Sequence, residues 1–219
     1  MTEESTEGTR GLTTVVPMAN LRTQQKEQTR RNLLQEALRL FEAKGYVATT
    51  IDDIATAVGT TRVTFYAYFP NKTEILRALF DELNRSLDRH EDASHRMTAR
   101  PLVEAARIGT FDVIRDWIGV QSSRWPEIAP YITVITEAAA VDPEMREINE
   151  AWFTEVIDDI VEGLTQAGRF DPETRRFRGY LAMELLDGTT LRWIRHPFEL
   201  DAGPELDILA QAWTDLLGD

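Results

Sequence analysis

Arg62, Val63, Thr64, Tyr66 and Ala67 are a set of side chains whose chemistry suits the edge of a base pair. An arginine can donate two hydrogen bonds to a guanine, Val and Ala methyls meet the methyl of thymine, and a threonine hydroxyl reaches base or phosphate. Tyr66, Tyr68 and Lys72 suit the sugar–phosphate backbone. So do the hydroxyls and free amides of Thr49 and Thr50, and of Thr60 and Thr61 at the start of the next helix. Contacts of this second kind hold register without reading sequence.

Those residues share a surface only if two short helices position them. Ile51, Ile54, Ala55 and Val58 recur at the spacing of a one-sided helix, with Thr50 able to cap the amide of Asp53. Gly59 stands where the chain must turn sharply, and Thr61 is a fair cap for a second helix. At about 100° per residue, turning Phe65 inward also buries Phe69 and spreads Arg62, Val63, Thr64, Tyr66 and Ala67 over the other side. This is a helix-turn-helix, and it implies double-stranded DNA. An ordinary pair of core helices would leave Thr64, Tyr66 and Tyr68 with buried hydroxyls in need of partners.

Flanking helices complete a three-helix head. The first is expected from about Thr23 to Lys44, with Leu34, Ala37, Leu38 and Phe41 on one side and Gly45 at its end. Pro70 stops the recognition helix. Asn71 caps the next, in which Ile75, Leu79, Leu83 and Leu87 recur at four-residue steps and the helix could run to about His95.

The run from Ala55 through Lys72, with TTRVTFYAYFPNK followed by EILRALFDEL, resembles the DNA-binding domain of the tetracycline-repressor (TetR) family of bacterial transcription regulators. The likeness covers about residues 25 to 85. Val63 stands where the family often has a small residue and Ala67 where it often has a longer polar one; both departures fall on the outward face and bear on operator sequence. The resemblance implies a small-molecule effector, commonly apolar or amphipathic, bound in a C-terminal helical bundle.

Bulk properties fit that expectation. The 219 residues carry a net charge of -13, unevenly spread: residues 22 to 72 hold 8 Lys or Arg against 5 Asp or Glu, and residues 73 to 219 hold 15 against 29. A basic head is the electrostatic footprint of a DNA binder, and an acidic remainder is repelled by phosphate and so orients the molecule. Cysteine is absent, which excludes disulfides and thiol chemistry. With no apolar run near membrane-spanning length and no signal-peptide pattern, a cytoplasmic protein without membrane contact is expected. His90 and His95 lie five apart, about 140° around a helix, which misplaces them for a zinc site. No phosphate-cradling loop or nucleophile elbow occurs, so no catalytic residue, metal or cofactor is assigned and no enzyme is expected.

The fold class expected is all-α, with about nine helices divided between the head and a larger C-terminal bundle. Residues 1–21 read as a flexible arm, 22–70 as the DNA-binding domain and 71–219 as a ligand-binding and dimerisation domain. Later helix starts are marked by proline at Arg100-Pro101, Trp125-Pro126, Asp142-Pro143, Asp171-Pro172 and Gly203-Pro204. Phe111, Trp117, Trp125, Trp152 and Phe153 are candidates to line an apolar cavity. Asp187, in an otherwise apolar helix, needs a partner and joins them.

A homodimer on a palindromic operator is expected, because one recognition helix reads few base pairs. In similar regulators the last two helices form a four-helix interface, which assigns Tyr180, Met183, Leu191, Ile194, Leu209, Ala212, Trp213 and Leu216 to that surface. A charge at Trp213 is then expected to yield monomers. The expected function is a repressor released from its operator by effector binding; an activator, or a regulator without an effector, is the alternative.

Overall fold

The computed structural model describes residues 18–93, 96–198, 200 and 203–218. It is all-helical but for one small ribbon. The head holds α1 (Met18–Lys44), α2 (Ile51–Ala57) and α3 (Arg62–Tyr66), and α4 (Lys72–Ser86) leads out of it. The ribbon β1 (His90–Glu91) and β2 (Met97–Thr98) follows. The body is α5 (Arg100–Ile108), α6 (Phe111–Ser123), α7 (Trp125–Val141), α8 (Pro143–Ala167), α9 (Pro172–Arg195) and α10 (Pro204–Leu217). That makes ten helices among the described residues, none long and apolar enough to cross a membrane.

Local chemistry accounts for most helix ends. Thr50 and Asp53 exchange bonds across the start of α2: the Asp53 amide donates to Thr50 Oγ1 at 3.1 Å and the Thr50 amide to Asp53 Oδ2 at 3.0 Å. Thr61 caps α3 and Asn71 caps α4 through the amides of Thr64 and Glu74. Each of the five proline-marked starts begins a helix, since a ring at the first turn removes an amide that has no partner there. Gly45 and Gly59 close α1 and the turn after α2 at φ 83 and 72, where a Cβ would be strained.

Three boundaries differ from expectation. The first helix begins at Met18, inside the stretch expected as an arm; residues 1–17 of that arm lie outside the described residues. The recognition helix ends at Tyr66, and residues 67 to 69 continue as a turn in which the Tyr68 and Phe69 amides donate to Phe65 O. The fourth helix ends at Ser86 instead of running to His95. Its four-residue apolar stripe stops at Leu87, Asp88 takes a positive φ of 53, and Arg89 turns inward. His90 is therefore exposed on a strand paired with Thr98, and the two histidines share no helix; His95 lies outside the described residues.

The body is tied by contacts far apart in sequence. At Gly163 of α8 a Cβ would stand 2.4 Å from Val103 O, so glycine lets α5 lie against it. Fully buried Asp159 accepts from Thr98 Oγ1 at 2.7 Å and the Ala99 amide at 2.8 Å, fixing the entry to α5. Arg169 donates to carbonyls of Ala106, Arg107 and Ile108 and to Leu217 O, so one cation covers the negative ends of α5 and α10.

Head and body meet at Asp142. Its Oδ1 accepts the amides of Glu144 and Met145 at the start of α8, while its Oδ2 accepts the hydroxyls of Tyr46 at 3.1 Å and Thr73 at 3.4 Å. Burial, more than any neighbour, raises the Tyr46 pKa, which keeps that phenol a donor. Arg77 of α4 pairs with Glu144 beside it.

Candidate functional site

Two surfaces hold the chemistry: the outward side of α3 and a cavity in the body. On α3, Phe65 and, just beyond it, Phe69 are buried against α1 and α2. Arg62, Tyr66 and Ala67 are exposed, and Val63 is 80% exposed, an apolar side chain held in water by helix geometry. Arg62 is pre-oriented: it donates to Tyr66 Oη at 3.1 Å, pairs with Asp52 Oδ2 at 3.3 Å and lies over the Tyr66 ring. The Tyr66 bond is the main cause of its raised pKa. Thr61 is exposed, with its hydroxyl 3.1 Å from that of half-buried Thr64. Thr60 and Tyr68 are half-buried, the latter packed on the core, and Thr50 is exposed.

Two residues expected at phosphate are turned inward. Thr49 is 1% exposed and its hydroxyl lies 2.9 Å from Gly45 O and 3.1 Å from Leu40 O, closing the end of α1. Lys72 donates to Tyr46 O at 2.7 Å and Thr49 O at 3.2 Å and sits over the Tyr46 ring. Burial lowers its pKa more than Asp142 raises it. In this conformation Lys72 ties α4 to the turn after α1 and does not extend toward solvent. Asp52, the carboxylate partner of Arg62, was not singled out from sequence, although its place on the first turn of α2 was legible.

The cavity, about 290 Å³, opens between the end of α4 and helices α5 to α9. Of the residues singled out from the sequence, Trp117, Trp125, Trp152 and Asp187 line it. Phe111 and Phe153 do not: both are half-buried against the core, and Phe153 meets Trp152 edge-on. Met183, assigned to the dimer surface, lines the cavity instead.

Arg89 and Leu87 also line it and had no signal in sequence, because α4 was expected to continue through them. Arg89 is 2% exposed, donates through Nη2 to Met97 O and Glu155 at 3.0 Å, and lies over the Trp152 ring. Its Nε and Nη1 have no hydrogen-bond partner, an unusual state for a buried cation. Trp152 in turn donates from Nε1 to Asn84 Oδ1 of α4 at 2.8 Å. Asp187 is half-buried, and burial followed by the charge of Glu184 pushes its carboxyl up to about 6.

The expected dimer residues fall on more than one side of α9 and α10. Tyr180 is exposed, Leu191, Ile194, Ala212 and Leu216 are half-buried, and Met183 and Leu209 are buried. Trp213 is 1% exposed and stacked on Trp117 at 5.2 Å, inside the chain's own core. Phe177, Leu181 and Leu185 of α9 and Ile208 of α10, the last 70% exposed, stand outward with Tyr180.

Among the described residues no group of three His, Cys, Asp or Glu could hold a metal ion.

Known proteins match both regions. The family described as bacterial regulatory proteins, tetR family, matches residues 33–79, which span most of the head and half of α4. The chain is 26% identical over 203 residues to the HTH-type transcriptional regulator TtgR of Pseudomonas putida, covering 89% of this chain and 93% of that one. Its fold is similar to that of NalD, the secondary repressor of the MexAB-OprM multidrug efflux pump in Pseudomonas aeruginosa. That likeness has a TM-score of 0.65 at 22% identity, over 88% of this chain and 97% of NalD. A structure of SmeT with triclosan is similar at a TM-score of 0.64 and 18% identity, over 86% and 91% of the two chains. With a capped helix-turn-helix presenting Arg62 and its neighbours to solvent, residues 33–79 carry the DNA-binding region of the tetR family of bacterial regulatory proteins, and the chain is similar over most of its length to a DNA-binding regulator of transcription.

Proposed function

We propose that the protein is a repressor that binds a palindromic operator as a homodimer and is released when a small apolar or amphipathic molecule fills the cavity. One observation carries this reading: the cavity wall and the DNA-proximal helix are the same piece of structure. Leu87 and Arg89, just beyond the end of α4, line the cavity, and Trp152 joins the cavity to Asn84 within it. At its other end α4 begins with Lys72, bonded to the turn between α1 and α2. A molecule that displaces Trp152 or Arg89 therefore acts on α4, and α4 sets the position of α3. SmeT, a relative in fold, binds triclosan, and the cavity here has the matching apolar character.

The recognition surface in this reading is Arg62, Val63, Thr64, Tyr66 and Ala67, with Thr50, Thr60, Thr61 and Tyr68 on the backbone. Residues 22–70 act as the DNA-binding unit and 71–219 as the ligand and dimer unit. The dimer face is Phe177, Tyr180, Leu181, Leu185 and Ile208, the exposed large apolar residues of α9 and α10. Its exposure suits the interface a two-fold operator requires.

By linkage, an effector that releases DNA binds the DNA-free form more tightly. The test is selection of bound sequences from random DNA, followed by a ligand screen read as operator release. A palindromic site with half-sites about one turn apart, released by cavity ligands, is expected. Ligands that fill the cavity and leave operator affinity unchanged would overturn it.

A further inference from the structure

The charges on the cavity wall do not balance. Arg89 is paired with Glu155 at 3.0 Å and Arg124 with Asp88, so the charge of each cation is matched by a carboxylate, although Arg89 Nε and Nη1 and Arg124 Nη1 keep no hydrogen-bond partner. Asp187 has no such match: among the described residues no cation lies within ion-pair distance and no donor bonds to it. The charge that acts on it is Glu184, of the same sign. Exposed Asp116, which also lines the cavity, is likewise in no ion pair. A half-buried carboxylate beside Leu186 and Met183 costs more than an amide or a leucine would there. The positive charge is what the wall lacks.

The remaining lining suits the body of such a ligand. Trp117, Trp125 and Trp152 come from three different helices, and indole faces attract cations as well as apolar rings. We infer that the cavity takes an apolar aromatic amine, with the protonated nitrogen at Asp187 and the ring system among the tryptophans. This rests on the cavity being the effector site.

The experiment uses three probes that share one ring system: 1-naphthylmethylamine, 1-naphthalenemethanol and 1-naphthoic acid. These are cationic, neutral and anionic at pH 7.5. Each is titrated into the full chain, unaltered and Asp187→Asn, by calorimetry, with operator release followed in parallel. The amine is expected to bind the unaltered protein about tenfold or more tighter than the alcohol, with the acid weakest. The Asp187→Asn protein should bind amine and alcohol within about twofold of one another. If that variant does not fold, the ranking of the three probes on the unaltered protein decides alone.

The alcohol or the acid matching the amine overturns the inference, as does an amine preference that survives Asp187→Asn. All three binding equally and releasing the operator sinks the cation and keeps the effector site. The amine binding as expected without releasing the operator sinks the effector role and keeps the cation preference. No detectable binding by any probe overturns both.

Discussion

The outward side of α3 and the cavity wall both hold polar side chains in place, and they do so over very different distances along the chain. On α3 and its approaches the contacts are short: Arg62 to Tyr66, Thr61 to Thr64, Thr50 to Asp53. In the body they span some 60 residues or more: Arg89 to Glu155, Trp152 to Asn84, Asp159 to Thr98. Short contacts survive if the two units move relative to each other. Arg89 to Glu155 and Trp152 to Asn84 join the end of α4 to α8, and these must break or shift if α4 moves against the body. In the proposed function the outward side of α3 is then the rigid part, and the cavity wall the part able to register a ligand.

The largest effect that would sharpen this contrast sets a buried aromatic of α10 against exposed apolar residues of α9 and α10. Trp213→Asp should cost about 3 to 5 kcal/mol of folding stability by emptying a core site and burying a charge, measured by denaturant unfolding. The double change Phe177→Asp and Ile208→Asp should instead leave the helical circular dichroism intact and give monomers by sedimentation. A folded, monomeric Trp213→Asp protein, or a double variant that remains dimeric, would return the interface to the other side of α10.

Arg62→Ala should weaken operator binding roughly tenfold to a hundredfold and relax preference at one base pair, with the melting temperature unchanged. Equal losses on operator and random DNA would remove Arg62 from the reading face.

Asp187 provides a pH test within the body. A carboxyl raised to about 6 in the folded chain, against about 3.9 unfolded, favours folding fully below the lower value and loses that contribution as pH rises through the upper one. Asp187→Asn should therefore stabilise the free protein by about 1 to 2 kcal/mol at pH 7.5, allowing for solvent screening, and by nothing below pH 4. A stability difference independent of pH would mean that burial does not perturb this group. Smaller still, Thr50→Ala should cost about 1 kcal/mol through loss of the α2 cap, without altering ligand binding.

The same contrast explains what could be read from the chain before its structure. Caps, proline starts and the orientation of α3 depend on residues three or four apart, so Thr50, Pro143 and Phe65 announce them. Arg89 depends on Glu155, which no local pattern connects to it, and the expected continuation of α4 concealed it. Helix α10 carries apolar residues over more than half of its circumference, among them Leu206, Ile208, Leu209, Ala212 and Trp213. Its extent was legible, but which side meets the rest of the chain was not. Thr49 and Lys72 are polar residues spent on backbone carbonyls, a use that composition does not distinguish from a phosphate contact.

Asp142 divides its two carboxylate oxygens between neighbours that need not move together. One oxygen starts a long helix of the body, and the other is gripped by two hydroxyls of the head and α4. A swing of one unit against the other, as the proposed release requires, would have its fulcrum at such a shared carboxylate, with displacement growing toward α3.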